Sequence, residues 1–257
     1  MVGLYRLSSL GMPMSNSLSI VIPAYNEAEN VEEAVRRVSA VAQTLGIDYE
    51  IILVNDGSRD RTGEIGRSLV GRVPNYRMVE HYPNRGYGGA LKAGFAAATK
   101  ELIAFVPADN QFDFNDIRLL LAALEHADIV SGWRQHDQDN LIRRFNRFGW
   151  NMLIRLLFGY LCRDIDCGFK LFRRDLLNHI HIESNGAMID TELLAGAKLR
   201  GYRIAEVPVT HLPRLAGKPT GANLKVILRA FRDLIRFRQR LSRELRTERQ
   251  QIVASNQ

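Results

Sequence analysis

The chain has 257 residues, enough for one large domain or two small ones to bury a core. Hydrophobic residues at 46% and charged residues at 25% exclude a disordered chain. The formal charge of +7 is unevenly placed: Lys225 to Arg249 hold nine Lys or Arg against Asp233, Glu244 and Glu248, an excess of six. The remainder is close to neutral, which argues against a nucleic-acid surface spread over the fold. Cys162 and Cys167 have no second pair with metal-type spacing and imply no disulfide framework, so a reducing compartment is expected.

Residues 1–17 lack a sustained apolar core and read as a loose leader. No run reaches the roughly 18 apolar residues needed to span a bilayer. The nearest, Trp150 to Cys162, is short and broken by Arg155. The expected organisation is a leader over 1–17, one α/β domain over 18–221 and a basic amphipathic helix and tail over 222–257.

In chain order, Leu18 to Pro23 is a continuous apolar run, as a strand buried on both faces requires. A helix is expected from Glu27 to Ala42, a strand over Tyr49 to Asp56 and a helix over Asp60 to Leu69. A shorter strand at Tyr76 to His81 precedes a small-residue helix at Gly88 to Ala98. A strand at Glu101 to Asp109, a helix at Phe114 to Glu125 and a strand at Ala127 to Trp133 follow. This alternation predicts a mostly parallel sheet sandwiched by helices. The pattern then loosens: a helix at Arg143 to Phe158, a short strand at Asp164 to Phe172, a helix at Ala187 to Leu199 and a strand at Tyr202 to Val209. His211 to Gly221 reads as a mobile loop. Apolar residues at 224, 227, 228, 231, 234, 235 and 241 predict a last amphipathic helix, from Ala222 to about Arg246 at a 3.6-residue period.

Ligands of such sheets bind beyond the carboxyl ends of the strands. Those ends are polar here, and two carry an acid, Asp56 and Asp109. Asp109 and Gln111, two apart past a strand, can turn oxygens toward one hard cation such as Mg²⁺ or Mn²⁺. Gly86, Gly88 and Gly89 admit close approach of a ligand to the backbone. A dinucleotide fingerprint is the competing reading of these glycines, but its third position falls on Leu91.

The ordered set IVIPAYNEAENV, VNDGS, NRGYGGAL, ADNQFD, DIDCGFKLF and EVPVTHLPR resembles the family 2 glycosyltransferases of the GT-A fold. Within them it is most similar to the polyprenyl-phosphate, dolichyl-phosphate mannose synthase-like branch. The resemblance runs from Leu18 to Arg214. It implies an inverting transfer of a sugar from a UDP- or GDP-sugar to a polyprenyl phosphate, with Mg²⁺ or Mn²⁺ as cofactor.

By the same resemblance, Pro23, Tyr25, Glu27 and Asp56 surround the nucleotide base and ribose, Asn84, Gly86 and Lys92 flank it, and Ala108 lies beside it. Asp109 and Gln111 match metal ligands. Asp164 matches an acid of the sugar site, and Asp190 and Glu192 match an acidic helix start facing the reaction centre. Arg134, Arg143 and Arg214 are candidates for an acceptor phosphate. Pro107 departs from the family pattern, which has a first Asp there, so one acidic contact to a metal is lost.

A phosphate acceptor needs positioning and charge neutralisation rather than a strong base. A saccharide hydroxyl acceptor would need Asp164 or Asp190 as base. That acceptor and a non-catalytic nucleotide-sugar binder stay open as alternatives. The last helix fits an anionic membrane surface, and equally a helix packed on the domain or a dimer contact. The expected location is cytoplasmic, peripheral on the membrane face or held by a membrane-protein partner, with a homo-oligomer compatible.

Overall fold

The computed structural model describes residues 17–135, 141–213 and 224–255. The chain runs β1 (Ser17–Ala24), α1 (Val31–Ala42), β2 (Asp48–Asn55), α2 (Thr62–Ser68), β3 (Tyr76–Glu80), α3 (Tyr87–Ala97) and β4 (Leu102–Phe105). It continues α4 (Ile117–Leu124), β5 (Ile129–Gln135), α5 (Leu141–Phe158), β6 (Lys170–Arg173), α6 (Met188–Leu199), β7 (Ile204–Thr210) and α7 (Leu224–Ser255). Short 3₁₀ turns stand at Phe114–Asp116 and Arg174–Asn178.

The seven strands form one sheet in the order β3-β2-β1-β4-β6-β5-β7. β3, β2, β1 and β4 are mutually parallel, β6 is antiparallel to β4 and β5, and β5 is parallel to β7. Six strands therefore point one way, and the carboxyl ends of β1, β2, β4 and β5 share one edge. Helices cover both faces. Leu18, Ile20 and Ile22 of β1 pack with α1 and α4, while Val21 packs with α3, α5, α6 and α7 on the other side. This two-sided burial is why β1 reads as an unbroken apolar run. Gly94 lets α3 lie directly on β1, since a Cβ there would overlap Val21.

Several boundaries differ from the sequence expectation. α1 starts at Val31 rather than Glu27, because Asn26 takes a left-handed φ of 54° and the chain loops first. β4 is regular only to Phe105, though the Val106 and Ala108 N–H groups still reach the Val21 and Pro23 carbonyls at 3.1 and 3.3 Å. Pro107 between them has no N–H to give. The expected strand at 164–172 is only Lys170–Arg173, since 164–169 is a turn whose carbonyls face the Lys170 ammonium. The leader, save Ser17, and most of the 211–221 loop lie outside the described residues.

The last helix runs to Ser255, and its apolar face is used inside the domain: Leu234, Phe237 and Leu241 are buried in the second core. Arg200, the residue capping the carboxyl end of α6, pairs with Glu244 at 2.9 Å and Glu248 at 2.8 Å. Arg240 pairs with buried Glu192 at 2.9 Å and with Glu183, and donates to the His181 carbonyl at 3.2 Å. The other oxygen of Glu192 accepts the Glu183 and Ser184 N–H groups, both at 2.9 Å. One carboxylate thus ties the loop before α6 to α7. Arg240→Met leaves a buried carboxylate without its cation, so urea unfolding is expected to show a loss of about 3 kcal/mol. The double variant Arg240→Met/Glu192→Gln is expected to lose less than the sum of the single losses.

Candidate active site

At the common edge the end of β2 forms a tightly bonded corner. Asp56 accepts the Arg85 N–H at 2.7 Å and the Asn84 amide at 2.7 Å, with His81 Nδ1 at 3.2 Å. Burial raises the Asp56 pKa, against the hydrogen bonds and the nearby cations. Gly86, with φ of 85°, has no room for a side chain, which would overlap the Asn185 carbonyl. The Gly88 N–H donates to that same carbonyl at 3.0 Å, so the loop before α6 sits against the start of α3. Lys92 donates to the Glu183 carbonyl at 2.7 Å, and burial lowers its pKa. Pro23 is the penultimate residue of β1 and Tyr25 follows its last, and the Glu27 carboxylate accepts from the Asn30 amide at 2.6 Å.

Beside this corner is a cavity of about 200 Å³ lined by Tyr87, Pro107, Asp109, Gln111, Arg134, Asp166, Asp190 and His211. The structure therefore brings Asp109, Gln111, Arg134 and Asp190 together. It also places Asp166, Tyr87 and His211 there, which sequence reasoning did not single out. An antiparallel bridge between Phe112 and His211, and a Leu212 N–H to Gln111 carbonyl bond of 2.8 Å, carry His211 to Gln111. Their side-chain nitrogens lie 3.4 Å apart. Pro107 packs on Gly168, whose missing side chain leaves it room.

Fully buried Lys170 stands beside the cavity and pairs with Asp190 at 2.7 Å. Burial alone would lower the Lys170 pKa, but the Asp190 charge holds it above the ordinary value. Among the described residues, no cation stands at ion-pair distance from Asp166. Burial, with the Asp190 and Asp164 charges, pushes its pKa up to about 7.

Asp164 faces a second pocket, of about 220 Å³, lined by Trp133, Arg134, Arg144, Arg147, Phe148, Asn151, Arg163 and Asp164. Arg134 lines both pockets and grips Asp164 through two nitrogens, at 2.8 and 2.9 Å. Burial pushes the Asp164 carboxyl up, but the Arg134 bonds and charge outweigh it and keep its pKa below the usual value. Asp164 is therefore unsuited to act as a base. The Arg163 guanidinium lies over the Trp133 ring at 4.3 Å. Glu192, expected to face the reaction centre, is instead turned to Arg240 and the 183–184 amides. Arg214 lies outside the described residues, and Arg143 is placed only as a backbone position of α5.

Residues 19–180 match Glycosyl transferase family 2. The chain belongs to that family. It is 34% identical over 216 residues to the undecaprenyl-phosphate 4-deoxy-4-formamido-L-arabinose transferase of Enterobacter sp. (strain 638), covering 82% of this chain and 64% of that relative. Its fold is similar to Mycobacterium tuberculosis glucosyl-3-phosphoglycerate synthase with phosphoglyceric acid: 20% identity, 88% of this chain, 80% of that one, TM-score 0.65. The same synthase with Mn²⁺, UDP and glucosyl-3-phosphoglycerate gives 19% identity, 90% and 78% coverage, and TM-score 0.62. With Mg²⁺ and UDP it gives 19%, 84%, 78% and 0.64. These likenesses establish the expected GT-A type fold.

The raised Asp166 pKa has a thermodynamic sign. Between the unfolded carboxylate value, about 4, and about 7, the folded chain holds one more proton than the unfolded chain. Stability therefore falls as pH rises through that window. Without divalent cation, Asp166→Asn is expected to raise Tm at pH 8 by several degrees relative to wild type, and by much less at pH 4.5. A constant difference across pH would contradict the assignment.

Proposed function

We propose that this chain transfers a sugar from a nucleoside-diphosphate donor to a polyprenyl phosphate. The observation that carries the reading is the pair of adjoining pockets sharing Arg134, one lined by carboxylates and the other by arginines. The carboxylate side suits a donor diphosphate with its cation, and the arginine side suits an acceptor phosphate. Arginine is favoured for that task because its planar fork can hold phosphate through two parallel bonds. The undecaprenyl-phosphate relative supports the acceptor class, and the neighbours with UDP support the donor class.

Among the described residues, no three His, Cys, Asp or Glu side chains form a metal cage. Mg²⁺ and Mn²⁺ do not require one, because substrate phosphates and water complete their shell. The donor set fits that pattern: Asp109 gives a carboxylate, Gln111 an amide oxygen, and His211 an imidazole nitrogen beside it. A bound ion there would stabilise the charge developing on the departing diphosphate. Asp56, Asn84 and Gly86 form the corner for base and ribose, and Arg134 positions the acceptor phosphate for in-line attack with inversion. An oxygen of a phosphate dianion attacks as it is, so no general base is needed.

A saccharide hydroxyl acceptor is the second reading, and Asp166 favours it: a cavity carboxyl with a pKa near 7 can accept a proton at neutral pH. That reading predicts turnover without any lipid phosphate. Among the described residues no helix is long and apolar enough to cross a membrane.

Asp109→Ala is expected to cut transfer by about 10³-fold, the scale of several kcal/mol of charge stabilisation. It should also abolish the Mn²⁺-dependent Tm rise with UDP while leaving the apo Tm unchanged. Retained turnover would refute the metal role. Arg144→Gln/Arg147→Gln is expected to raise the KM for a prenyl phosphate by at least roughly tenfold, the scale of one lost charge-assisted bond, with donor affinity unchanged.

A further inference from the structure

Four strongly exposed apolar side chains of the described fold are grouped on one helix. Leu156, Phe145, Phe148 and Met152 are 81%, 75%, 63% and 53% exposed, and all four lie on α5. Their spacings of three, four and four residues place them within about 80° of arc on one side of the helix. Ile154 and Phe158, on the opposite side, are buried in the core. The helix is thus firmly seated by one face and presents a second apolar face to solvent. The expectation that α7 carries the amphipathic membrane face meets a physical objection: its Leu234, Phe237 and Leu241 are already used in the core.

The charge around the stripe identifies its occupant. α5 has no acid; exposed Arg144 and Arg155 flank the stripe on one side, and Arg147 lines the adjoining pocket. Phe148 belongs both to the stripe and to the arginine-lined pocket. An apolar face edged by cations suits an anionic bilayer surface, where the ring and alkyl groups enter the acyl boundary and the arginines meet headgroups. A second copy docked through the same face would bring like charges together across a two-fold axis, which disfavours it.

We propose that the exposed face of α5 is a membrane-docking surface that seats the chain on an anionic lipid bilayer, with the arginine pocket at headgroup level. This rests on the proposed lipid-phosphate acceptor: its phosphate occupies the pocket while its chain stays in the bilayer beside Phe148.

The test uses the full chain and the variant Phe145→Ser/Met152→Ser/Leu156→Ser, which spares Phe148 and every arginine. Each is floated with vesicles of phosphatidylglycerol and phosphatidylcholine in equal parts, and with phosphatidylcholine alone. Wild type is expected to float with the mixed vesicles and less with phosphatidylcholine. The variant is expected to keep the wild-type Tm and lose bound fraction on the order of tenfold. Transfer to a water-soluble short-chain prenyl phosphate should be unchanged, while transfer to a long-chain one in vesicles falls. Flotation of the variant equal to wild type overturns the proposal, as does a wild type that binds neither vesicle. A stripe variant that is monomeric where wild type is dimeric, with flotation unaltered, overturns it too. If flotation depends on the stripe but neither prenyl phosphate accepts sugar, the docking surface stands and the acceptor reading fails.

Discussion

An ammonium group with no exposed surface holds the centre of this fold together. Lys170 sits on the one antiparallel strand, β6, and bonds the Asp190 carboxylate at 2.7 Å and the Ile165 carbonyl at 3.0 Å. The Cys167 carbonyl also faces it. These contacts fix two separate pieces of chain relative to the sheet: the 164–169 turn and the start of α6. Each piece delivers one cavity carboxylate, Asp166 from the turn and Asp190 from the helix. A buried charge is tolerated only when its partners are in place. The pair therefore does more to specify where the carboxylates stand than to stabilise the chain, and replacing either partner alone would leave the other unsatisfied.

The same logic extends outward through α6. Asp190 faces inward to Lys170, while Glu192, two residues later, faces the loop before the helix and α7. That loop supplies the Asn185 carbonyl, which accepts the Gly88 N–H, and the Glu183 carbonyl, which accepts Lys92. The glycine segment expected to flank a nucleotide is consequently shaped by a helix more than 130 residues downstream, through Arg240. α7 is mechanically part of the domain that holds the cavity, even though its sequence, rich in charge, reads as an appended tail.

The sheet and its functional edge were legible from the sequence because β1, β2 and the surrounding strands are buried on both faces, which leaves continuous apolar runs. Asp109 and Gln111 were legible because they follow a strand directly. The 164–169 segment was not: it lacks a period, and its conformation is set by Lys170 from β6 rather than by local preference. Two carboxylates two residues apart, Asp164 and Asp166, gave no local signal of which would face the cavity, and the structure divides them between two pockets. His211 reaches Gln111 across a bridge spanning 100 residues, a contact no local pattern announces. The direction of α5 was also hidden, since apolar residues lie on both of its sides.

The two pockets differ in what they can neutralise, and that difference orders the reaction. Under the proposed transfer, the carboxylate cavity would take a nucleoside diphosphate together with its cation, with Asp109 and Gln111 among the donors. The second pocket gathers the guanidinium groups of Arg134, Arg144, Arg147 and Arg163 around Asp164, a lining that suits phosphate. Arg134 stands between them, bound to Asp164. A phosphate acceptor would compete with that carboxylate for the same guanidinium, at the boundary of the donor cavity. A free water offers no such charge to the arginines. Under the proposed transfer, this arrangement would favour a phosphate acceptor over water by electrostatic selection of the nucleophile.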